Sequence, residues 1–133
     1  MISIENIDAL IFDFDGVLTD NKVYVDQQGV ESVVCSRSDG LAFAAFRKLG
    51  VNAFILSTEE NPVVTSRARK LQLPVFQGVR SKSVTLSELI TENGWNKDRL
   101  VYVGNDLNDF NAMSLCGYKV CPADSHSRII DIA

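Results

Sequence analysis

The sequence predicts an α/β protein built on a mostly parallel sheet, and three observations carry that prediction. Short apolar runs of strand length alternate with helix-spaced apolar patterns along all 133 residues. Such alternation implies parallel strands joined by right-handed crossovers. Residues able to do chemistry collect just after the apolar runs, where open parallel sheets bind ligands. A hydrophobic content of 46% is enough to bury one core, so residues 1–133 are expected to form a single domain. No linker, repeat or low-complexity stretch divides the chain.

Ile7–Phe14 reads as the first buried strand. Lys22–Asp26 and Val30–Cys35 are valine-rich and separated by Gln27-Gln28-Gly29, the pattern of a β-hairpin. Asp39 caps a helix running to Leu49, with Leu41, Ala45, Phe46 and Leu49 at helical spacing and Gly50 ending it. Val51–Leu56 is a second buried strand that delivers Ser57 and Thr58 at its tip. A helix follows from about Pro62, favoured in a first turn, to Leu71. Pro74–Gln77 is a short third strand. Ser81–Asn93 is helical, with Val84, Leu86, Leu89 and Ile90 apolar and Gly94 after it. Leu100–Val103, Leu107–Cys116 and Tyr118–Cys121 complete the pattern as strand, helix and strand.

Composition excludes several functions. A net charge of −4 argues against a nucleic-acid surface, which needs stripes of Lys and Arg. No apolar run approaches the roughly 20 residues that span a bilayer. The N-terminal Met-Ile-Ser-Ile-Glu-Asn-Ile-Asp carries an early acid and no basic region before an apolar block, unlike a secretory leader. Cys35, Cys116 and Cys121 are odd in number and lack CxxC spacing, so reduced, buried thiols and a cytoplasmic location are expected.

The most informative segment is Asp13-Phe-Asp15-Gly-Val-Leu-Thr-Asp20, which leaves the apolar run Ala9–Phe12. Alternate side chains of a strand share a face, so Asp13 and Asp15 point together. Two convergent carboxylates repel, and a divalent cation relieves them; hard oxygen ligands suit magnesium better than zinc. Ser57/Thr58, Lys82 and Asn105/Asp106/Asp109 lie at the same rim. Together they match the needs of phosphate-monoester hydrolysis: a nucleophile, a proton donor and positive charge around the phosphoryl oxygens. Asp13 is the candidate nucleophile, Asp15 the acid/base, and Ser57 and Lys82 hold the phosphate. Each also has a plainer reading. Ser57 and Thr58 could cap the next helix, Lys82 could be solvated, and Asp106 and Asp109 could be helix-capping charges. His126 and Trp95 receive no chemical role.

These four segments, in order, resemble the motifs of the haloacid dehalogenase superfamily phosphatases: DFDGVLTD, the strand ending in Ser57, Gly78-Val-Arg-Ser-Lys82, and Val103-Gly-Asn-Asp-Leu-Asn-Asp109. The resemblance runs from about Ile7 to Ser125. It is greatest to the small, capless branch: 3-deoxy-manno-octulosonate 8-phosphate phosphatase, nonulosonate-9-phosphate phosphatases, and the C-terminal domain of acylneuraminate cytidylyltransferases. Ser57–Val64 and Arg37-Ser-Asp-Gly40 look closest to the cytidylyltransferase-attached and sialate-type members. The resemblance implies a three-layer Rossmann-like fold with a mostly parallel sheet, a small hairpin flap and no cap domain. It implies an aspartyl-phosphate intermediate and Mg2+ held by Asp13, the Asp15 carbonyl and Asn105 or Asp106, with Asp109 behind them. Phosphate would be bound by Ser57, Thr58 and Lys82, with Ser38 and Asp39 near the sugar. A homotetramer is implied, in which a neighbouring subunit covers each site.

Three departures stand out. Asn105 occupies the position of the family's usual magnesium-binding acid, which predicts weaker metal binding. The octulosonate enzymes carry Gly-Arg after the strand-two hydroxyl and an arginine before the aspartate at 39; here stand Thr58-Glu59 and Ser38, which argues against that exact substrate. The family's glycine-rich tail does not follow Ser125, so the chain either lacks it or is a fragment. Two expectations follow: a magnesium-dependent phosphatase of a phosphorylated 3-deoxy-2-keto sugar acid, or a weakly active or inactive oligomerisation domain associated with a cytidylyltransferase. A phosphoacceptor signalling domain fits less well, because Ser-Thr ends strand two. No GxGxxG or P-loop is present to bind a nucleotide.

Overall fold

A computed structural model describes residues 3–133. Met1 and Ile2, which begin the segment read as too acidic for a leader, lie outside them. Five parallel strands form the sheet: β1 (Ala9–Phe12), β4 (Asn52–Leu56), β5 (Val75–Phe76), β6 (Leu100–Val103) and β7 (Tyr118–Val120), in the order β5-β4-β1-β6-β7. β1 lies at the centre, in register with β4 (Phe12 opposite Ile55) and β6 (Phe12 opposite Val103). The chain builds outward through α1 (Ser38–Lys48), β4, α2 (Val63–Leu71) and β5, then crosses by α3 (Lys82–Asn93) to β6, α4 (Phe110–Leu115) and β7. Successive strands therefore leave β1 in opposite directions, and the crevice between those connections opens at the strands' C-terminal tips.

Period-two alternation divides the sheet's side chains into two cores. Ile11, Phe54, Leu56, Leu100 and Tyr102 pack against Leu86, Leu89, Ala112 and Met113 of α3 and α4. Ile55 packs on the other face with Phe43 of α1 and Val64, Ala68 and Leu71 of α2. Strands covered on both faces read as unbroken apolar runs, which is why β1 and β6 were visible in the sequence. Trp95 stacks on Phe54 with ring centroids 5.8 Å apart, a packing role.

The expected hairpin exists but is shorter, pairing β2 (Tyr24–Val25) with β3 (Glu31–Ser32) in a separate two-stranded ribbon. It and an isolated antiparallel bridge between Thr19 and Cys35 are the paired structure inserted between β1 and α1 among the described residues, too little for a cap domain. Two expectations need correction. α1 begins at Ser38 with no side-chain cap, so Asp39 lies in its first turn instead of capping it. The helix expected over Leu107–Cys116 opens as a 3₁₀ turn (Leu107–Asp109), capped by Asp106. A short helix α5 (Ser127–Ile130), capped by His126, was not foreseen because four residues carry no periodic signal. All three cysteines are free; Cys116 is buried, while Cys35 and Cys121 are only partly so. No helix among the described residues is long and apolar enough to cross a membrane.

Gly117 shows how tightly the rear of the sheet is closed. A Cβ there would stand 2.1 Å from the Asp98 carbonyl oxygen, a backbone atom that cannot rotate away. Gly117→Ala should therefore lower stability by about 1–3 kcal/mol, read as a reduced chemical-denaturation midpoint with an unchanged m-value.

Candidate active site

The rim is built by main-chain ladders that outlast the strands. Asp13 N–H donates to Val103 O (2.9 Å), Ser57 N–H to Phe76 O (2.9 Å), and Gly104 N–H to Val120 O (3.1 Å). These bonds fix the first residue beyond β1, β4 and β6, so Asp13, Ser57 and Gly104–Asn105 emerge at one level. Beyond Asp13 the chain turns sharply. Gly16 takes φ +80°, and the Thr19 hydroxyl accepts from the N–H groups of Gly16 (3.0 Å) and Asn21 (3.1 Å). That turn brings Asp15 back beside Asp13, and the two line one cleft of about 300 Å³ with Ser57, Thr58, Asn105 and Asp106.

At the base of this cleft lies a buried ionic network. Lys82, the first residue of α3, is 2% exposed, so it is not the solvated lysine of the plainer reading. Its Nζ lies 2.7 Å from Asp13 Oδ1 and 2.7 Å from Asp109 Oδ1. Asp109 accepts further bonds from the Tyr102 hydroxyl (2.9 Å) on Oδ1, and from Asn105 N–H (2.9 Å) and Asp106 N–H (3.2 Å) on Oδ2. With every lone-pair direction occupied, Asp109 can only position others. It aligns Lys82 and shapes the turn that presents Asn105.

Asn105 lies over the first turn. One terminal atom of its amide is 3.2 Å from Asp13 Oδ2 and 2.8 Å from the Asp15 carbonyl oxygen. With nitrogen there, the amide donates to both; with oxygen there, three acceptors converge, and only a cation reconciles them. Neighbouring oxygens around an octahedral ion with 2.0–2.1 Å bonds sit roughly 2.9 Å apart, close to these spacings. The donor set is thus one carboxylate, one main-chain carbonyl and one amide, a fit to a hard divalent cation. Among the described residues no three acidic, histidine or cysteine side chains gather as a metal cage. Asp106 is exposed, and its Oδ1 accepts from Leu107 N–H at 2.7 Å, so it faces the cleft from the capping position.

Burial pushes the Asp13 carboxyl up to about 7, outweighing the attraction of Lys82, and the charge of Asp109 adds to the rise. Asp15 is also raised, first by burial and then by the charge of Glu59, with Lys82 opposing and Glu31 adding. A carboxyl held toward its protonated form beside a carboxylate pair suits a proton donor.

Ser57 is buried, and its Oγ accepts from Glu59 N–H (3.1 Å), leaving its own proton free for the cleft. Ser57 and Thr58 do not cap α2, which starts after Pro62 with no side-chain cap; the Asn61 side chain accepts from Val63 N–H (3.0 Å) in the turn before it. Ser38 and Asp39 are not brought to this cleft. Ser38 is exposed, and Asp39 lines a separate groove with Leu18, Thr19 and Cys35. The sequence reading missed Tyr102, Asn21 and Asn108. Tyr102 carried a usable signal: a hydroxyl inside a strand buried on both faces must find a partner.

The profile of the haloacid dehalogenase-like hydrolases matches residues 52–133. The chain belongs to that family. It is 30% identical to the 3-deoxy-D-manno-octulosonate 8-phosphate phosphatase of Escherichia coli BL21, over 98% of this chain and 70% of the relative. A structure described as a haloacid dehalogenase-family hydrolase from Streptomyces avermitilis superposes with a TM-score of 0.96 at 44% identity, covering 100% of this chain and 76% of that one. The cobalt-bound octulosonate 8-phosphate phosphatase of Haemophilus influenzae superposes at 0.89 with 27% identity, covering 98% and 77%. The chain is accordingly an enzyme of a phosphatase-rich family with the capless architecture.

The raised Asp13 carboxyl has a measurable consequence. A carboxyl that binds its proton more tightly when folded contributes stability below its ordinary value of 3.8, and that contribution is lost as pH rises through about 7. In EDTA the melting temperature should fall over this window; Mg2+ should restore it, with a larger shift at pH 8 than at pH 5. Asp13→Asn should flatten both trends in differential scanning fluorimetry. A second expectation concerns Asn105→Asp, which adds the missing charge. It should tighten Mg2+ binding by about tenfold or more in calorimetry and lower the metal-free melting temperature.

Proposed function

We propose that this chain is a magnesium-dependent phosphomonoesterase acting on a phosphorylated sugar, of the 3-deoxy-2-keto sugar acid class, through an aspartyl-phosphate. The observation that carries it is the single cleft in which Asp13, Asp15, Ser57 and the Lys82 network meet. Asp13 attacks phosphorus while the Ser57 hydroxyl and Lys82 ammonium bind the phosphoryl oxygens. Asp15 gives its proton to the departing alkoxide, then accepts one from the water that cleaves the acyl phosphate. Asp13, the Asp15 carbonyl and Asn105 would hold the cation, which when bound offsets charge on the phosphoryl group. The octulosonate phosphatase relatives support a sugar-acid substrate, and the cobalt-bound relative supports a divalent ion.

The same reading takes the chain to be a homotetramer in the cytoplasm, and the ribbon offers a surface for assembly. Val23, Tyr24, Val25 and Val30 are each more than half exposed, an apolar surface that second copies of the chain would cover along with the open cleft. Asn105 alone favours the alternative, an inactive oligomerisation domain partnered with a cytidylyltransferase, since a neutral ligand weakens metal binding.

Phosphate release decides between them. With Mg2+, sugar-acid phosphates should turn over; EDTA and Asp13→Asn should each reduce release by at least about 10³-fold. A stable oligomer with no turnover on any phosphate ester would leave the assembly reading standing. For the ribbon, Tyr24→Glu with Val25→Glu should shift the species seen by light scattering toward monomer.

A further inference from the structure

Both main-chain groups of Ser57 are held by the segment that follows β5. Its N–H donates to Phe76 O (2.9 Å), and its carbonyl accepts from Val79 N–H (3.2 Å). Two residues on, Glu59 O accepts from Gly78 N–H (3.0 Å). The same segment then runs directly into Lys82, the first residue of α3. Residues 76–82 therefore support one phosphate-binding group through the main chain and supply the other.

Gln77 adds a side chain to this clamp, and no step of the chemistry uses it. From the end of β5 its Nε2 donates to Glu59 O (3.3 Å) and Asn61 O (3.3 Å), bridging the turn after Ser57. Its Oε1 accepts from the Thr65 hydroxyl on α2, which fixes the end of the amide that faces the loop. Asn61 O also accepts from Val64 N–H (3.2 Å) in the first turn of α2. One amide thus joins the end of β5, the β4–α2 loop and α2. Glu59 in turn donates its N–H to Ser57 Oγ (3.1 Å), so the point where Gln77 holds the loop lies one hydrogen bond from the phosphate-binding hydroxyl. Gln77 itself does not line the cleft, and any effect on bound phosphate passes through the loop.

We propose, resting on the phosphomonoesterase reading, that Gln77 is a positioning residue for phosphate binding, its amide setting the pose of Ser57 against Lys82 by holding the loop at Glu59 and Asn61. Exchanging the amide for a carboxylate keeps the shape but turns the donor into an acceptor. An oxygen then faces two carbonyl oxygens, and the loop is pushed away. Ser57 binds the phosphoryl group in the ground state and the transition state alike, so displacing it weakens binding more than it slows the chemical step.

Initial rates on p-nitrophenyl phosphate with Mg2+, and their inhibition by inorganic phosphate, test this. Gln77→Glu should raise KM and the phosphate inhibition constant together by about tenfold and change kcat by less than about threefold. Gln77→Met loses the donation without adding repulsion, and Thr65→Val frees the amide to turn. Both should shift the two constants the same way by about threefold. The Mg2+ concentration for half-maximal activity should stay within about twofold, because the cation's ligands follow β1 and β6 and share no partner with Gln77. A merely structural glutamine would lower the melting temperature of the variants and leave KM and the inhibition constant in place. That result, or a fall in kcat or Mg2+ affinity as large as the loss of phosphate affinity, would overturn the proposal. If the unsubstituted chain hydrolyses no phosphate ester, the phosphatase reading fails separately, and calorimetric titration with inorganic phosphate reads the loop directly. Weaker phosphate binding in Gln77→Glu and Gln77→Met then supports the positioning role; equal affinity, or no binding by the unsubstituted chain, overturns it.

Discussion

A lysine ammonium buried between two carboxylates is the constraint on which the rest of the site depends. Lys82 comes from the start of α3, Asp13 from the tip of β1, and Asp109 from the turn after β6, so one cation joins three segments far apart in sequence. None of these charges could be buried alone, and removing one partner of a buried pair costs about 3–5 kcal/mol. The network therefore makes the geometry of the rim part of the fold's own stability. Its excess of one carboxylate keeps the site short of positive charge, which is the condition a hard cation meets.

Small residues let the network close. A Cβ at Gly104 would stand 2.7 Å from the Asp109 side chain, and one at Gly16 would overlap the Asn105 amide at 2.0 Å. The glycines after Asp15 and before Asn105 are thus spaces that the carboxylate and the amide fill. Gly16 has a second reason, its φ of +80°, which an L side chain seldom adopts. The turn after β1 and the turn after β6 press together because neither has a side chain between them. That contact puts Asn105 over the Asp15 carbonyl.

Strand positions, the hairpin and the convergence of Asp13, Asp15, Ser57 and Lys82 were legible because each follows from a strong local signal: an apolar run, a turn residue, or a polar residue at a strand's end. The resemblance to the haloacid dehalogenase superfamily added the order of the motifs, and the family match bears out that membership. Asp109 was visible as an acid but not as the hub of four contacts, since its partners lie on α3, β6 and its own turn. Asp39 lines another groove for a related reason: closeness in sequence to the ribbon does not tell which cleft a residue will face. A neighbouring cleft lined by Asp15, Glu31 and Glu59 was invisible because Glu31 and Glu59 lie 28 positions apart, on a ribbon and a loop whose approach no periodicity encodes.

Asn105 shows what a neutral residue does in such a place. A carboxylate there would add a third negative charge beside Asp13 and Asp109, with Lys82 already shared between them. With its nitrogen turned toward them, the amide instead donates to both Asp13 Oδ2 and the Asp15 carbonyl, and in that orientation the rim is complete as a hydrogen-bonded structure before any ion enters. Admitting a cation then requires the amide to turn over and present its oxygen, exchanging two hydrogen bonds for one coordinate bond. The same substitution that weakens the hold on the metal therefore stabilises the metal-free site. The balance between those states is set by one side chain rather than by the fold.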